Sequence, residues 1–160
     1  MIPTEVQKAG ILRHIRYEIE RCILIFPGEE AFPEFWVSHI LHARVLMDFF
    51  ECKCAFSSDV LCTHFAFPAR TPKVSKWYRE KMNKDLAHLT YERVKRTTET
   101  QGWNVHEVIS PFVGVSMEFI DHIITKPPRL AEESELRLWN QLSEALRAAL
   151  RAQTSQATNS

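Results

Sequence analysis

Five segments of this chain of 160 residues repeat apolar side chains with the spacing of an α-helix, and this pattern is what most constrains the fold. Apolar residues that recur every three or four positions share one face of a helix, and that face needs another element to cover it. Alternation typical of strands is scarce. The pattern predicts an all-α protein, a five-helix up-and-down bundle with one long crossover, whose single domain covers residues 1–152 and is followed by a loose tail at 153–160.

Proline and glycine set the predicted limits of the helices. Helix one covers residues 5–25 after a cap at Thr4, and helix two covers 33–51. Helix three covers 75–98, helix four begins after Asn104 or Ser110 and ends before Pro127, and helix five covers 131–151. Pro111 is compatible with helix four only in its first turn. Residues 52–74, with a short turn at 60–65, form the long crossover.

The second predicted helix is apolar nearly all round, so we expect it to be the central, buried helix. Arg44 and Asp48 are spaced four positions apart on it, and a buried charge needs a partner. They could form an internal ion pair that fixes helix packing, or Arg44 could line a site for an anion. His39 and His42 are expected to be hydrogen-bonded core or cleft histidines.

Cations are concentrated in and just before the third predicted helix. The chain has 20 Lys and Arg against 20 Asp and Glu, but residues 70–96 hold nine of the cations and three of the acids, a local excess of +6. Such an excess can steer a phosphate or another acidic partner. It is also compatible with a solvated helix face opposite an acidic neighbour.

His88 stands among the cations of this helix, close to Lys81 and Lys84. Nearby positive charge disfavours imidazolium, so we expect the pKa of His88 to lie near or below its ordinary value of about 6.5. A neutral imidazole can remove the proton from the 2'-OH of RNA while cations stabilise charge on the phosphate. In the alternative interpretation the helix only packs, and His88 bonds a carbonyl group.

The sequence NKDLAH at residues 83–88, in a basic helix of a small helical bundle, resembles the R-x4-6-H motif of HEPN domains. His88 matches the histidine of that motif, whereas Asn83 stands at the place of its arginine. Arg79 lies outside the allowed spacing, so an active site needs another cation, for which Arg44 or Arg93 is a candidate.

HEPN domains are helical bundles that commonly dimerise. Many are metal-independent ribonucleases, and others bind nucleotides or are inactive partners. The resemblance therefore implies a homodimer without a cofactor that binds RNA or a nucleotide, with His88, Asn83 and Arg44 as catalytic residues. The expected phosphate-binding or nucleic-acid-binding residues are Lys81, Lys84, Arg79, Arg93 and Tyr91.

Two other functions remain open from the sequence. One is a non-catalytic interaction bundle in which His88, Arg44 and Asp48 form a buried polar network. The other is a metal-dependent enzyme that uses His39, His42 and His88. Cys52, Cys54, Cys62 and His64 have suitable chemistry for zinc, but their spacing differs from that of common structural sites, and we predict no metal.

The first ten residues are polar, and the most apolar stretch, 32–50, contains several charged residues. Charges at the centre of a membrane span are unfavourable. The sequence therefore predicts neither a signal peptide nor a membrane-spanning segment, and we expect a cytoplasmic protein.

Overall fold

The computed structural model describes residues 3–24, 33–53, 56–83 and 104–157, and within these ranges it contains five α-helices and no strand. The helices are α1 (Glu5–Ile23), α2 (Pro33–Phe50), α3 (Lys76–Lys81), α4 (Val105–Thr125) and α5 (Glu133–Ala157). A 3-10 turn, Cys62–Phe65, interrupts the crossover. Helix α1 contacts α2, α4 and α5, while α4 contacts α2 and α5. The predicted all-α bundle is confirmed.

Side chains cap the N-termini of three helices, and two of these caps, Thr4 and Asn104, are among the residues that the sequence suggests. Thr4 Oγ1 accepts a hydrogen bond from the Gln7 amide (3.3 Å), and Gln7 Oε1 accepts one from the Thr4 amide (2.9 Å), which completes a capping box at α1. Of the two candidate caps for α4, Asn104 is the cap, because its Oδ1 accepts from the Glu107 amide. Ser75 caps α3 in the same way.

One predicted feature of the helices is wrong, and one helix is longer than predicted. Pro111 lies in the second turn of α4, although we expected it only in a first turn. Proline removes one helical hydrogen bond there, and the deep burial of Phe112 and its apolar neighbours in the core offsets that loss. Helix α5 continues to Ala157, six residues beyond its predicted end at Arg151.

The third helix is described over only part of its predicted length. Helix α3 ends at Lys81, and Met82 and Asn83 form a π-helical turn after it. The remainder of the predicted helix, from residue 84 to residue 98, lies outside the described residues. Tyr78 and Met82, which the apolar period places on the packing face, are both buried.

Phe119 on α4 is the centre of an aromatic core. Five aromatic rings contact it at steep angles, with centroid distances of 5.2 to 6.0 Å: Phe49, Phe50, Phe65, Phe67 and Trp139. Edge-to-face contact at these distances is favourable in addition to burial. This single cluster joins α2, the crossover, α4 and α5.

The crossover is fixed to the bundle by hydrogen bonds that involve its backbone. The Arg70 amide donates to the Phe50 carbonyl (2.8 Å), and a ring nitrogen of His122 on α4 lies 2.8 Å from the Phe65 carbonyl. At the end of α2, the Lys53 amide donates to the Asp48 carbonyl (3.0 Å) and Cys52 has a φ of 55°. That geometry is a Schellman turn, which stops α2 and directs the chain into the crossover.

Helix α2, predicted to be the central, buried helix, is buried on one side and partly exposed on the other. Leu41 and Val45 are 43% and 50% exposed, and Arg44 and Asp48 on the same side are half-buried. Helices α1 and α4 pack against α2, and its other side, which carries Ile40, Leu46 and Phe50, is buried. Helix α2 is therefore a core helix with one apolar face turned outward.

The prediction that no segment is apolar enough to span a membrane is also wrong. Residues Glu107–Thr125 of α4 have the length and the apolar composition of a membrane span. A core helix passes the same test. Most of the described apolar side chains of α4, including Phe112, Phe119 and Ile123, are buried in the bundle, and this packing accounts for its composition.

We expect Phe119→Ala to lower the free energy of unfolding by about 3–5 kcal/mol, because it leaves a cavity among five aromatic rings. Urea unfolding followed by tryptophan fluorescence measures the change. Val6→Ala is the control, since Val6 is 69% exposed and its truncation should cost little. A loss below about 1 kcal/mol for Phe119→Ala would show that this ring does not organise the core.

Candidate functional site

Arg44 and Asn83, which are 39 positions apart in the sequence, meet at the surface of the bundle. Arg44 Nε donates to Asn83 Oδ1 at 2.5 Å, and Arg44 Nη1 donates to Asp48 Oδ2 at 2.6 Å. Helix α2 supplies Arg44 and Asp48, while the π-helical turn after α3 supplies Asn83. We refer to these three residues as the Arg44 cluster.

The Arg44 cluster is accessible to a ligand. The Arg44 and Asp48 side chains are 30% and 38% exposed, and Asn83 is exposed. The expectation that the Arg44–Asp48 pair is buried is therefore wrong, although the pair itself forms. Within the part of the chain that the structure describes, Arg44 Nη2 makes no hydrogen bond. A guanidinium held on two sides and open on a third can present N–H donors to an anion.

The third predicted catalytic residue, His88, lies outside the described residues. So do three of the predicted phosphate-binding residues, Lys84, Tyr91 and Arg93. The described structure therefore brings together Arg44 and Asn83, two of the three predicted catalytic residues, and adds Asp48 to them. That residue had been considered only as a packing partner of Arg44.

Arg79, a predicted phosphate-binding residue, is used to anchor α3. Its Nη1 lies 2.5 Å from Glu51 Oε1, its Nη2 donates to the Pro72 carbonyl (2.6 Å) and its Nε donates to the Val74 carbonyl (3.1 Å). All three nitrogens of the guanidinium thus have protein partners. This geometry gives Arg79 a structural role, and the sequence provides no local signal for these contacts because their partners lie in other segments.

Lys81, another predicted phosphate-binding residue, is only 6% exposed. Its ammonium lies 4.7 Å from the centre of the Trp77 ring, a distance typical of a cation–π contact. Lys81 lies outside the apolar stripe of Tyr78 and Met82, but packing around α3 still covers it. Neither Arg79 nor Lys81 presents its charge to solvent as expected from the sequence.

A cavity of about 670 Å³ opens beside the Arg44 cluster, between α1, α2 and the crossover. Its apolar walls include Ile11, Ile15, Phe49 and Val60. Charged residues at the cavity are Glu18, Arg44, Asp48, Lys53 and Asp59. An apolar cavity with a few charged groups is typical of a ligand site. Sequence reasoning missed it because its walls come from three separate segments.

The two histidines of α2 are hydrogen-bonded, as predicted. Nδ1 of the buried His39 lies 3.1 Å from the Cys22 carbonyl oxygen. Nδ1 of His42 lies 2.7 Å from Glu18 Oε2, and the His42 ring packs edge-on against Tyr17. Among the described residues, no group of three or more His, Cys, Asp or Glu side chains is arranged to hold a metal ion. The metal-dependent alternative also includes His88, which lies outside the described residues.

The chain matches no protein-family model, and neither the search of curated proteins nor the search of solved structures found a significant match. The resemblance to HEPN domains consequently rests on the short motif at residues 83–88 and on the helical fold.

The ion pair between Glu51 and Arg79 should make stability depend on pH. Burial raises the pKa of Glu51, but hydrogen bonds and charges from Lys53 and Arg79 outweigh it and hold the pKa below the ordinary value of 4.5. A carboxyl group with a lowered pKa in the folded state contributes stability above its unfolded pKa. That contribution is lost as the pH falls through the folded pKa.

We expect Glu51→Gln to lower the free energy of unfolding by about 1–3 kcal/mol at pH 7, because it leaves the Arg79 guanidinium without its counter-charge. The difference from wild type should shrink as the pH falls below about 4.5. Urea unfolding at several pH values tests this. Glu80→Gln is the matched control, since Glu80 is exposed and its ion pair with the exposed Lys76 is long, at 3.9 Å. A difference that does not change with pH would contradict the assignment.

Proposed function

We propose that the Arg44 cluster binds a phosphate group of RNA or of a nucleotide, and that His88 is the general base of a metal-independent ribonuclease. The observation that carries the proposal is the contact between Arg44 Nε and Asn83 Oδ1. It puts a guanidinium next to the residue that stands where the HEPN motif has its arginine. Arg44 is thereby a substitute for the missing cation.

The chemistry assigned to these residues is that of phosphodiester cleavage by the neighbouring 2'-OH. His88 takes the proton of the 2'-OH, the 2'-oxygen bonds to phosphorus, and the bond from phosphorus to the 5'-oxygen breaks. The leaving oxygen takes a proton from solvent. Arg44 stabilises the charge that builds on the phosphate oxygens, and Asp48 is a positioning residue that holds the guanidinium.

The distribution of charge supports an anionic ligand. Residues 70–96 have an excess of six positive charges, and the described part of this segment leads directly into the Arg44 cluster at Asn83. Arg79 and Lys81 are omitted from the proposed ligand contacts because the protein itself surrounds their charges. The proposed contacts are therefore Arg44 and Asn83, together with Lys84, Arg93 and Tyr91.

Cleavage and binding of a mixed-sequence single-stranded RNA in EDTA test the proposal. We expect His88→Ala to lower the cleavage rate by about 10²–10⁴, the usual contribution of a general base. Arg44→Ala should lower both cleavage and binding, and Arg44→Lys should restore binding more than cleavage because lysine keeps the charge but not the planar donor geometry. Binding should weaken steeply with salt.

Arg137→Ala, purified in the same way, is the control for contaminating nucleases and for nonspecific loss of charge. Arg137 is an exposed arginine of α5 that pairs with Glu133. Salt-sensitive binding without cleavage would reject the nuclease activity and leave the nucleotide-binding form of the proposal. Neither cleavage nor binding by the wild type would reject both, and the non-catalytic bundle would then be the better account.

We also propose that the chain forms a homodimer through the outward face of α2. Leu41 and Val45 are exposed on this face, and exposed Tyr17 lies nearby, where it packs on His42. Val45 and Phe56, which is 72% exposed, line the same cavity. Clustered exposed apolar residues are typical of interaction surfaces. A non-catalytic interaction bundle would use the same face.

Val45→Asp should convert the dimer to a monomer, because it introduces a charge into an apolar contact. Sedimentation equilibrium measures the change, and circular dichroism establishes that the variant is folded. Leu138→Asp is the matched control, since Leu138 is similarly exposed (39%) but belongs to α5. A wild-type protein that is monomeric at high concentration, or a Val45→Asp protein that remains dimeric, would exclude this interface.

A further inference from the structure

Two thiols lie close together where α2 meets the crossover. The sulfur atoms of Cys52 and Cys62 are 3.4 Å apart. A disulfide has a sulfur–sulfur distance of about 2 Å, so a small movement of the two side chains would bring them to bonding distance. Neither the proposed RNA site nor the metal alternative uses this pair, and Cys22, the other described cysteine, is buried in the core.

The backbone holds both thiols in place without a covalent bond between the two sulfur atoms. Cys52 is the residue with positive φ in the Schellman turn that ends α2, a position that ordinarily favours glycine. Cys62 begins the 3-10 turn, and its sulfur lies 3.5 Å from the Phe50 carbonyl oxygen. The bond from the Arg70 amide to the same carbonyl ties the crossover to α2. The approach of the two sulfur atoms is therefore built into the fold.

The two thiols have different chemical environments. Cys52 is half-buried, whereas Cys62 is buried. Burial raises the pKa of Cys52, but hydrogen bonds involving Thr63 and Cys62 outweigh it and leave the pKa below its ordinary value. Burial, together with Cys52, raises the pKa of Cys62 to about 12. An accessible thiol with thiolate character is the one that reacts first with an oxidant.

We propose that Cys52 and Cys62 form a reversible redox pair, in which Cys52 is oxidised by a hydroperoxide and Cys62 then closes an intramolecular disulfide. In the first step the Cys52 thiolate attacks the peroxide, the O–O bond breaks, and Cys52 becomes a sulfenic acid while the peroxide is reduced to an alcohol or water. In the second step the Cys62 sulfur bonds to the Cys52 sulfur and water leaves.

The disulfide would connect the end of α2 to the crossover. The residue before Cys52 is Glu51, whose carboxylate anchors α3 through Arg79. A bond at this point would therefore lock the junction on which the position of α3 depends. We expect the oxidised protein to unfold at a higher urea concentration than the reduced protein, because the cross-link restricts the unfolded chain.

Intact mass spectrometry after treatment of the reduced full-length protein with stoichiometric hydrogen peroxide tests the pair. We expect the loss of two hydrogen atoms, a cross-link between Cys52 and Cys62 in peptide maps, and complete reversal by dithiothreitol. In the reduced protein, iodoacetamide should label Cys52 at least about tenfold faster than Cys62.

Variants distinguish the role of Cys52, which reacts with the peroxide, from that of Cys62, which closes the disulfide. Cys62→Ala should leave Cys52 as a sulfenic acid that dimedone traps, and Cys52→Ser should give neither the cross-link nor the trapped acid. Cys54→Ser is the matched control and should form the disulfide as the wild type does. The proposal is overturned if the cross-link involves Cys54, if oxidation proceeds to sulfinic acid without a disulfide, or if no cross-link forms. Peptide maps of the wild type decide this even where a variant fails to fold.

Discussion

The packing of aromatic rings around Phe119 is the interaction on which the rest of this structure depends. The five rings that contact it come from α2, α5 and the part of the crossover at and just after the end of the 3-10 turn. Because one side chain touches all of these elements, the crossover is part of the core. Its fixed position in turn supports the Schellman turn at the end of α2 and the two cysteines there.

The polar groups of α2 extend this organisation to the surface. At its end, Glu51 holds Arg79 and so anchors α3, and in its middle Arg44 reaches Asn83 just beyond α3. The contact between Glu51 and Arg79 is shielded from solvent, and every nitrogen of the Arg79 guanidinium has a protein partner. The contact between Arg44 and Asn83 is half-exposed. This difference in solvent access, and not the number of cations, makes Arg44 the better candidate for binding an anion.

The proposed anion site, the proposed dimer interface and the thiol pair all use residues of α2 or of the turn that ends it. Its outward face carries Arg44 and Asp48 next to exposed Leu41 and Val45, and its end carries Cys52. A dimer formed through Val45 would lie beside the cavity and the Arg44 cluster. Ligand binding and self-association would therefore be close neighbours on one surface, while the thiol pair occupies the junction with the crossover.

The sequence by itself determined the helical class, the helix cap at Thr4, and the buried positions of Tyr78 and Met82, because these depend on spacing and on local hydrogen bonds. For α4 it left two caps open, and the structure selects Asn104. The sequence also predicted the Arg44–Asp48 pair, whose members are one helical turn apart. It could not predict which face of α2 is covered, the burial of Lys81, the partners of Arg79 or the approach of Cys52 to Cys62. Each of these depends on segments distant in the chain, and only the tertiary structure decides which of them share a surface.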